Sequence, residues 1–142
     1  MFLSYFLKFH IFNDRLSAVF AQRKNVLHQR FAGIVTGNID HLHCVLPCKE
    51  QADKWPVSSR ELYHSILQQA DSIIYVSRAF RKNCMLERNR FLVDHAAVLL
   101  AVYSGSGRSG TGATVNYARK LGREMFVIDP LTLTVTHEGG TV

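Results

Sequence analysis

A glycine- and hydroxyl-rich loop, Ser104–Thr111 (SGSGRSGT), is the segment of this sequence best suited to hold an anion. It follows the apolar run Ala97–Tyr103 and leads into a stretch with helical character. Glycines let backbone N–H groups approach a phosphate closely, and a helix that begins there adds unpaired N–H groups and partial positive charge. The residues predicted to form this phosphate site are Ser104, Gly105, Gly110 and Thr111.

Within this loop, Thr111 is predicted to cap the following helix or to donate its hydroxyl to a phosphate, and Arg108 is predicted to add positive charge. The loop does not end in Gly-Lys-Ser/Thr, so it is not a Walker A loop. It also follows a late strand and lacks the downstream acidic residue of the dinucleotide fingerprint. A flexible loop with a threonine cap and no ligand is the alternative interpretation of the same pattern.

The segments that would position the loop alternate between strands and helices. Short apolar runs predict strands at His41–Leu46, Ser72–Ser77, Ala97–Tyr103 and Met125–Ile128, followed by an alternating edge strand at Leu131–Glu138. Helical periodicity predicts helices from Ser58 to about Gln69, from Arg81 to His95, and from about Gly112 to Leu121 with Gly122 as the C-terminal cap. This order predicts an α/β fold, a Rossmann-like three-layer domain with a mostly parallel sheet.

Apolar residues at helical spacing predict which faces these helices bury. The residues expected to face the core are Leu62 and Ile66 in the first helix and Met85, Leu86, Phe91 and Leu92 in the second. The continuous apolar run at 72–77 predicts a strand covered on both faces. Trp55 and Tyr117 are expected to pack against neighbours, with stacking on a base as the alternative.

The composition fits one cytoplasmic domain that attracts anionic partners. The chain has 142 residues, a formal net charge of +6 and three cysteines, Cys44, Cys48 and Cys84. This length holds an ordinary core without disulfides, and an odd cysteine count favours a reducing compartment. Positive charge favours phosphates, nucleic acid or acidic surfaces. His41 and His43 stand near two of the cysteines, but strand alternation sends the side chains to opposite faces, so we predict no metal site.

Residues 1–41 are interpreted as an atypical N-terminal segment, a helix followed by a connector, ahead of a domain that spans residues 42–142. Leu16 and Phe20 belong to the apolar stripe of that helix. The apolar start of the chain is interrupted by Lys8, is too short for a membrane span and lacks the basic region of a signal peptide. We therefore expect no membrane span.

Three stretches of the chain resemble the SLOG superfamily and, within it, the YpsA-like family. They are Leu46–Gln51 with Trp55, then Ala70–Ser77, then Cys84–His95 followed by Leu99–Tyr103, Ser109–Thr111, Thr114–Ala118 and Ile128–Pro130. Their order and spacing run unbroken from residue 46 to residue 130. The resemblance implies a Rossmann-like fold that binds a nucleotide or an ADP-ribose-like ligand, in a family linked to control of bacterial cell division.

The resemblance also extends the predicted site. Ser109 and Thr114 match the family motif and join the ligand-binding residues, and Arg88 and Asn89 are further candidates for the same pocket. Family members also carry an N-terminal Thr-Gly-His-Arg-type motif and a second glycine motif, and residues 1–41 show neither. This departure predicts a member truncated at its N-terminal side, with a non-functional remnant as one alternative.

Neighbouring SLOG proteins suggest two other functions. LOG-type phosphoribohydrolases use a glutamate after their Gly-Thr loop, whereas Thr114 occupies that place here and cannot act as a carboxylate. We therefore assign no catalytic residue and no cofactor, and favour ligand binding without chemistry in a sensing or regulatory role. DNA binding is the second alternative, and the basic residues that suggest it are Arg78, Arg81, Lys82, Arg88 and Arg90.

Overall fold

Strands and helices alternate along the part of the chain that the computed structural model describes, residues 43–105 and 108–140. The elements are β1 (His43–Leu46), a 3-10 helix (Lys49–Ala52), α1 (Val57–Gln68), β2 (Ser72–Tyr75), α2 (Cys84–His95), β3 (Val98–Val102), α3 (Gly110–Lys120), β4 (Glu124–Ile128) and β5 (Val135–Glu138). This alternation and the parallel pairing of the strands confirm the predicted α/β, Rossmann-like class. The helix and connector predicted for residues 1–41 lie outside the described residues, and the domain boundary at residue 42 stays a prediction.

The described residues fall into two compact units, 43–97 and 98–140, and each is described here by itself. In the first unit, β1 and β2 form a parallel pair in which Leu46 stands opposite Tyr75. The pairing continues beyond the strands, because the N–H of Ser77 donates to the carbonyl of Pro47 at 2.9 Å. The segments that follow the two strands therefore leave the pair at the same end, where both strands have their C-termini.

Two hydrophobic clusters hold the first unit together. One contains Val45, Leu92 and Ala96, with Val76 and Phe91 packed against it. The other contains Leu46, Ala52 and Tyr63, with Trp55 and Leu67 packed against it. Because successive side chains of a strand point to opposite faces, neighbouring residues of β1 contribute to different clusters.

Helix α1 begins slightly before the predicted start and buries a different side chain from the one expected. Pro56 precedes its first residue with φ −53°, which suits a helix entry, and no side chain caps this end. Leu62 is 46% exposed, contrary to the prediction, and Tyr63 is buried instead. The Tyr63 ring meets Trp55 edge to face with centroids 5.5 Å apart, and burial raises the pKa of Tyr63 to about 12.

The apolar pattern of residues 72–95 predicted burial wrongly in two places. β2 is not covered on both faces, because Ile73, Ile74 and Tyr75 are each more than a third exposed. In α2, Met85 and Leu86 are also exposed. These large apolar side chains therefore do not contribute to the core as fully buried members.

The buried stripe of α2 consists instead of Cys84, Arg88, Asn89, Leu92 and Val93. These positions follow the spacing of three to four residues that places side chains on one face of a helix. Two members are polar, and one of them carries a charge. A search for apolar periodicity misses this face for that reason, although it found Leu92.

The second unit contains a parallel strand pair extended by an antiparallel edge strand. β3 pairs with β4 in parallel, and β5 pairs with β4 in the antiparallel direction. The predicted edge strand at 131–138 begins only at Val135, because its first half forms a turn. In this turn the Asp129 carboxylate accepts the N–H groups of Leu131 and Thr132 at 2.7 and 3.3 Å.

Helix α3 ends at a glycine, as predicted. Gly122 has φ 63°, and its N–H donates to the Arg119 carbonyl at 3.0 Å. The N–H of Arg123 donates to the Ala118 carbonyl at 3.0 Å, which completes a Schellman cap. None of the helices in residues 43–105 and 108–140 combines the length and the apolarity that crossing a bilayer requires.

Candidate functional site

The predicted phosphate loop joins β3 to the first turn of α3, within the second unit. Tyr103 continues the path of β3, since its N–H donates to the Ile128 carbonyl at 2.9 Å. Ser104 is half-buried, and Gly105 is exposed with φ 79°, a left-handed conformation that glycine adopts without strain. Arg108 is exposed. Residues 106 and 107 of the loop lie outside the described residues.

Ser109, rather than Thr111, caps helix α3. Its backbone is extended, with φ −141° and ψ 159°, and its Oγ accepts the N–H of Gly112 at 3.0 Å. The helix therefore starts at Gly110, two residues before the predicted start. The reason is that a serine at 109 reaches the backbone three residues ahead, which places Thr111 inside the first turn.

The shift in the helix start gives Thr111 an environment that the sequence did not predict. Its side chain is 4% exposed, and its Oγ1 has no hydrogen-bond partner among the described residues. A buried hydroxyl without a partner costs about 1–3 kcal/mol. A ligand oxygen at the first turn of α3 would recover this cost.

The first turn of α3 also has the charge bias that favours an anion. The first N–H groups of a helix lack acceptors within it, and the Ser109 side chain satisfies that of Gly112. The first turn contains no acidic residue, whereas Arg119 and Lys120 stand in the last turn. The helix dipole therefore presents its positive end at Gly110 without a carboxylate of the same helix to neutralise it.

Thr114 lies one turn further along α3. It is buried, and its hydroxyl donates to the Gly110 carbonyl at 2.7 Å. This bond ties the side chain to the backbone of the first turn. Contact between Thr114 and a ligand stays a prediction.

The contact between Tyr103 and Gly112 was not expected from the sequence. A Cβ on Gly112 would stand 2.9 Å from the Tyr103 hydroxyl oxygen and 3.3 Å from Ser109 Oγ. The Tyr103 ring therefore lies directly against the first turn of α3, and position 112 requires a glycine while the ring stays there. The available signal was an aromatic residue at the end of a strand followed by a glycine just after the Gly-Thr pair.

Arg88 and Asn89, the other predicted site residues, lie on α2 in the first unit. Arg88 is 5% exposed and Asn89 is 4% exposed. The Arg88 Nε donates to Asn89 Oδ1 at 2.9 Å, and burial lowers the pKa of the guanidinium. No carboxylate within the described residues forms an ion pair with Arg88. Buried charges are usually paired, so this arrangement suits an anionic partner.

The histidine and cysteine side chains in and after β1, which the sequence suggests as metal-ligand candidates, lie in the first unit, as does Cys84. His43 Nδ1 lies 2.7 Å from Ser72 Oγ, and Cys48 and Cys84 are buried free thiols. Burial raises the pKa of the Cys44 and Cys48 thiols, so both favour the protonated form. Within residues 43–105 and 108–140, no three His, Cys, Asp or Glu side chains cluster as metal ligands would.

Comparison with known proteins assigns the chain to a family. A family model described as the YspA SLOG family matches residues 37–133, which include every predicted site residue. The chain belongs to the YpsA-like SLOG family. Proteins of the SLOG family usually bind nucleotide-related ligands.

One relative of this YpsA-like chain is the uncharacterized SPbeta prophage-derived protein YoqJ of Bacillus subtilis (strain 168). The two are 34% identical over 98 residues, which cover 59% of this chain and 57% of YoqJ. The chain thus matches little more than half the length of that relative. Family membership confirms the resemblance found in the sequence.

Proposed function

We propose that this YpsA-like protein binds a nucleotide or a nucleotide-derived ligand, such as ADP-ribose, with a phosphate at the first turn of α3. The observation that carries the proposal is the Thr111 hydroxyl, which is buried and has no partner among the described residues. Gly105, Ser109 and Gly110 are exposed, which supports close approach of an anion to their backbone. Ser104 and Thr114 complete the proposed set in this unit.

The buried guanidinium of Arg88 supports anion binding independently. It has a neighbouring amide, Asn89, but no carboxylate partner among the described residues. Leaving a charge buried and unpaired is costly, and the planar fork of N–H donors of a guanidinium binds phosphate oxygens in pairs. On this ground we propose that Arg88 and Asn89, within the first unit, also bind an anionic group of a ligand.

The proposed role is sensing or regulation, without turnover of the ligand. Thr114 stands where phosphoribohydrolases carry a glutamate, and a hydroxyl tied to the Gly110 carbonyl does not supply carboxylate catalysis. Incubation with AMP, followed by chromatography, is expected to return intact AMP. Release of free adenine above the rate of a protein-free sample would contradict this role.

Binding is tested by a thermal-shift screen of the full chain against ADP-ribose, NAD, AMP, cyclic nucleotides and inorganic phosphate. We expect a saturable rise in Tm with at least one nucleotide. Gly110→Trp should abolish that rise, because the indole would occupy the space over the first turn of α3. The matched control is Lys120→Trp, an exposed position at the other end of the same helix.

Two results would count against the proposal. A ligand-induced rise that survives in Gly110→Trp would show that the ligand binds elsewhere and that the loop is wrongly assigned. The absence of any saturable rise, in a protein with a sharp melting transition, would show that the chain does not bind these nucleotides.

A further inference from the structure

Exposed cationic and aromatic side chains lie at and just after the C-terminal end of the β1–β2 pair in the first unit. We call this set the cationic–aromatic surface, and its members are Lys49, Tyr75, Arg78, Phe80 and Lys82. All five are exposed, and Phe80 reaches 69% exposure. Single exposed apolar residues are ordinary, but two rings among three cations at one end of a strand pair are a distinct chemical surface.

The backbone brings the two segments of this surface to the same end of the strand pair. β1 and β2 run in parallel, and the N–H of Ser77 donates to the Pro47 carbonyl just beyond their ends. The Lys49 Nζ lies 5.9 Å from the centroid of the Tyr75 ring, within range of a cation–π interaction. Lys49 after β1 and Tyr75 at the end of β2 are therefore neighbours, and the segment that carries Arg78, Phe80 and Lys82 leaves from the same end of the strand pair.

The loop after β2 is held by its own contacts. The Ser77 hydroxyl donates to the Ala79 carbonyl at 2.7 Å and accepts the Nε of Arg81 at 3.1 Å. Arg81 also forms an ion pair with Glu87, so its charge is already partnered. Arg78 and Lys82 form no ion pair within the described residues, and in the sequence they stand two residues before and two residues after the exposed Phe80.

We propose that the cationic–aromatic surface binds single-stranded nucleic acid. Cations track the phosphates of a strand, and rings stack on bases that are not paired. A duplex hides the faces of its bases, so it offers the rings nothing to stack on. The net charge of +6 adds long-range attraction for a polyanion.

The arrangement favours a nucleic-acid strand over a lipid surface. Membrane-surface segments present a continuous apolar face beside a basic one. Here cations and rings alternate along the chain from Tyr75 to Lys82. A strand of nucleic acid offers both partners that these side chains bind, phosphates for the cations and base faces for the rings.

The surface differs from the basic cluster that suggested DNA binding in the sequence. Arg88 belongs to that cluster but is buried, and Arg81 is paired with Glu87. The cationic–aromatic surface also contains the Phe80 and Tyr75 rings, whereas the basic cluster consists of arginine and lysine residues alone.

The test is fluorescence anisotropy of the full chain with labelled single-stranded DNA and RNA of about 12 nucleotides, a length within the usual site sizes. Phe80→Ala should weaken binding by about tenfold, since stacking on one base contributes ~1–3 kcal/mol. Lys82→Gln should reduce the slope of log affinity against log salt by about 0.7, the value for one phosphate contact with a single strand. Both side chains are exposed, so circular dichroism should show an unchanged fold.

Leu131→Ala and Lys120→Gln are the matched controls, because they remove an exposed apolar side chain and an exposed cation from the second unit. Neither should change the affinity. Equal affinity of Phe80→Ala and the parent chain, or duplex binding as tight as single-strand binding, would overturn the proposal. So would Phe80-dependent capture on phosphatidylserine vesicles without binding of the oligonucleotides.

Discussion

The Thr111 hydroxyl should affect the stability of the free protein and the binding of a ligand in opposite directions. Thr111→Val keeps the side-chain volume and removes the buried hydroxyl that has no partner among the described residues. We expect the free energy of unfolding of the free protein to rise by about 1 kcal/mol, because an unsatisfied polar group is removed. The stabilisation by a bound nucleotide should shrink at the same time. Chemical denaturation with and without nucleotide measures both effects.

Thr136→Val is the control for Thr111→Val, since it makes the same change on the exposed strand β5. It should leave nucleotide-induced stabilisation unchanged. A clear loss of stability in Thr111→Val itself would mean that the hydroxyl already has a partner, and the site assignment would then lose its main support.

Arg88 provides the second prediction at this scale. Arg88→Met keeps most of the side-chain length and removes a guanidinium that is buried without a carboxylate partner among the described residues. The free protein should keep its stability or gain about 1 kcal/mol, because burying an unpaired charge is unfavourable. The rise in Tm caused by nucleotide or phosphate should fall.

Arg90→Met, an exposed change on the same helix, is the comparison for Arg88→Met. It should preserve the ligand-induced rise in Tm. If Arg88→Met unfolds the protein, the guanidinium has a structural role; if it leaves the ligand response intact, Arg88 does not contact the ligand.

The position of the loop could be predicted from its residue types, but the residue that caps helix α3 could not. Glycines and hydroxyls between a strand and a helix revealed Ser104–Thr111 as a candidate anion site. The sequence could not decide between two adjacent candidates for the helix cap, Ser109 and Thr111, because both residue types cap helices well. That choice decides which hydroxyl is buried.

At the scale of elements, an ion pair links helix α3 to the edge strand β5. Arg119 donates from Nε and Nη2 to the two carboxylate oxygens of Glu138 at 2.7 and 2.8 Å. The hydrogen bond from Arg119 is the main cause that lowers the pKa of Glu138 below its ordinary value of 4.5. Because both side chains are partly exposed, the pair should contribute only about 0.2–1 kcal/mol.

Glu138→Gln should therefore lower the stability slightly at neutral pH. A depressed folded-state pKa stabilises above the unfolded pKa, and the gain is lost as pH falls through the lower folded value. The stability difference between parent and variant should thus be largest at neutral pH and vanish in acid. Urea denaturation across this pH range measures it, with Arg119→Lys as a variant that keeps the charge but loses the parallel bonds. A difference that is independent of pH would exclude the ionised pair as its source.

Element order was predictable from the sequence, but burial was not. Strand runs and the Gly122 cap were found because apolar clusters and glycine carry local signals. The inner face of α2 was missed because Arg88 and Asn89 lie on it, and no apolar pattern marks a buried polar face. The apolar sequence of β2 predicts a strand covered on both faces, although Ile73, Ile74 and Tyr75 are each more than a third exposed.

For the whole molecule, binding of a nucleotide must appear as global stabilisation. At a ligand concentration of 100 Kd the expected gain is about 2.7 kcal/mol, and each further tenfold adds about 1.4 kcal/mol. For a chain of this size, this should raise Tm by roughly 10 °C. Titration followed by scanning calorimetry measures the concentration dependence. A rise that is linear in concentration and equal for all polyanions would indicate non-specific attraction to the basic surface.

Family membership was also predictable from the sequence, because several short motifs occur in the right order between residues 46 and 130. Their spacing carries more information than any one of them, since a single glycine-rich turn occurs in many folds. The identity of the ligand cannot be read in this way, because the same first-turn N–H groups accept any accessible phosphate.

The contact between Tyr103 and Gly112 means that the two positions share a single volume. A methyl group at 112 would require the end of the Tyr103 ring to move, so the space open to each residue depends on the other. Paired exchange, with a smaller residue at 103 and a larger one at 112, conserves that volume. In a combinatorial library selected for folding, the two positions should therefore covary, and the end of β3 and the start of α3 would evolve as a linked pair.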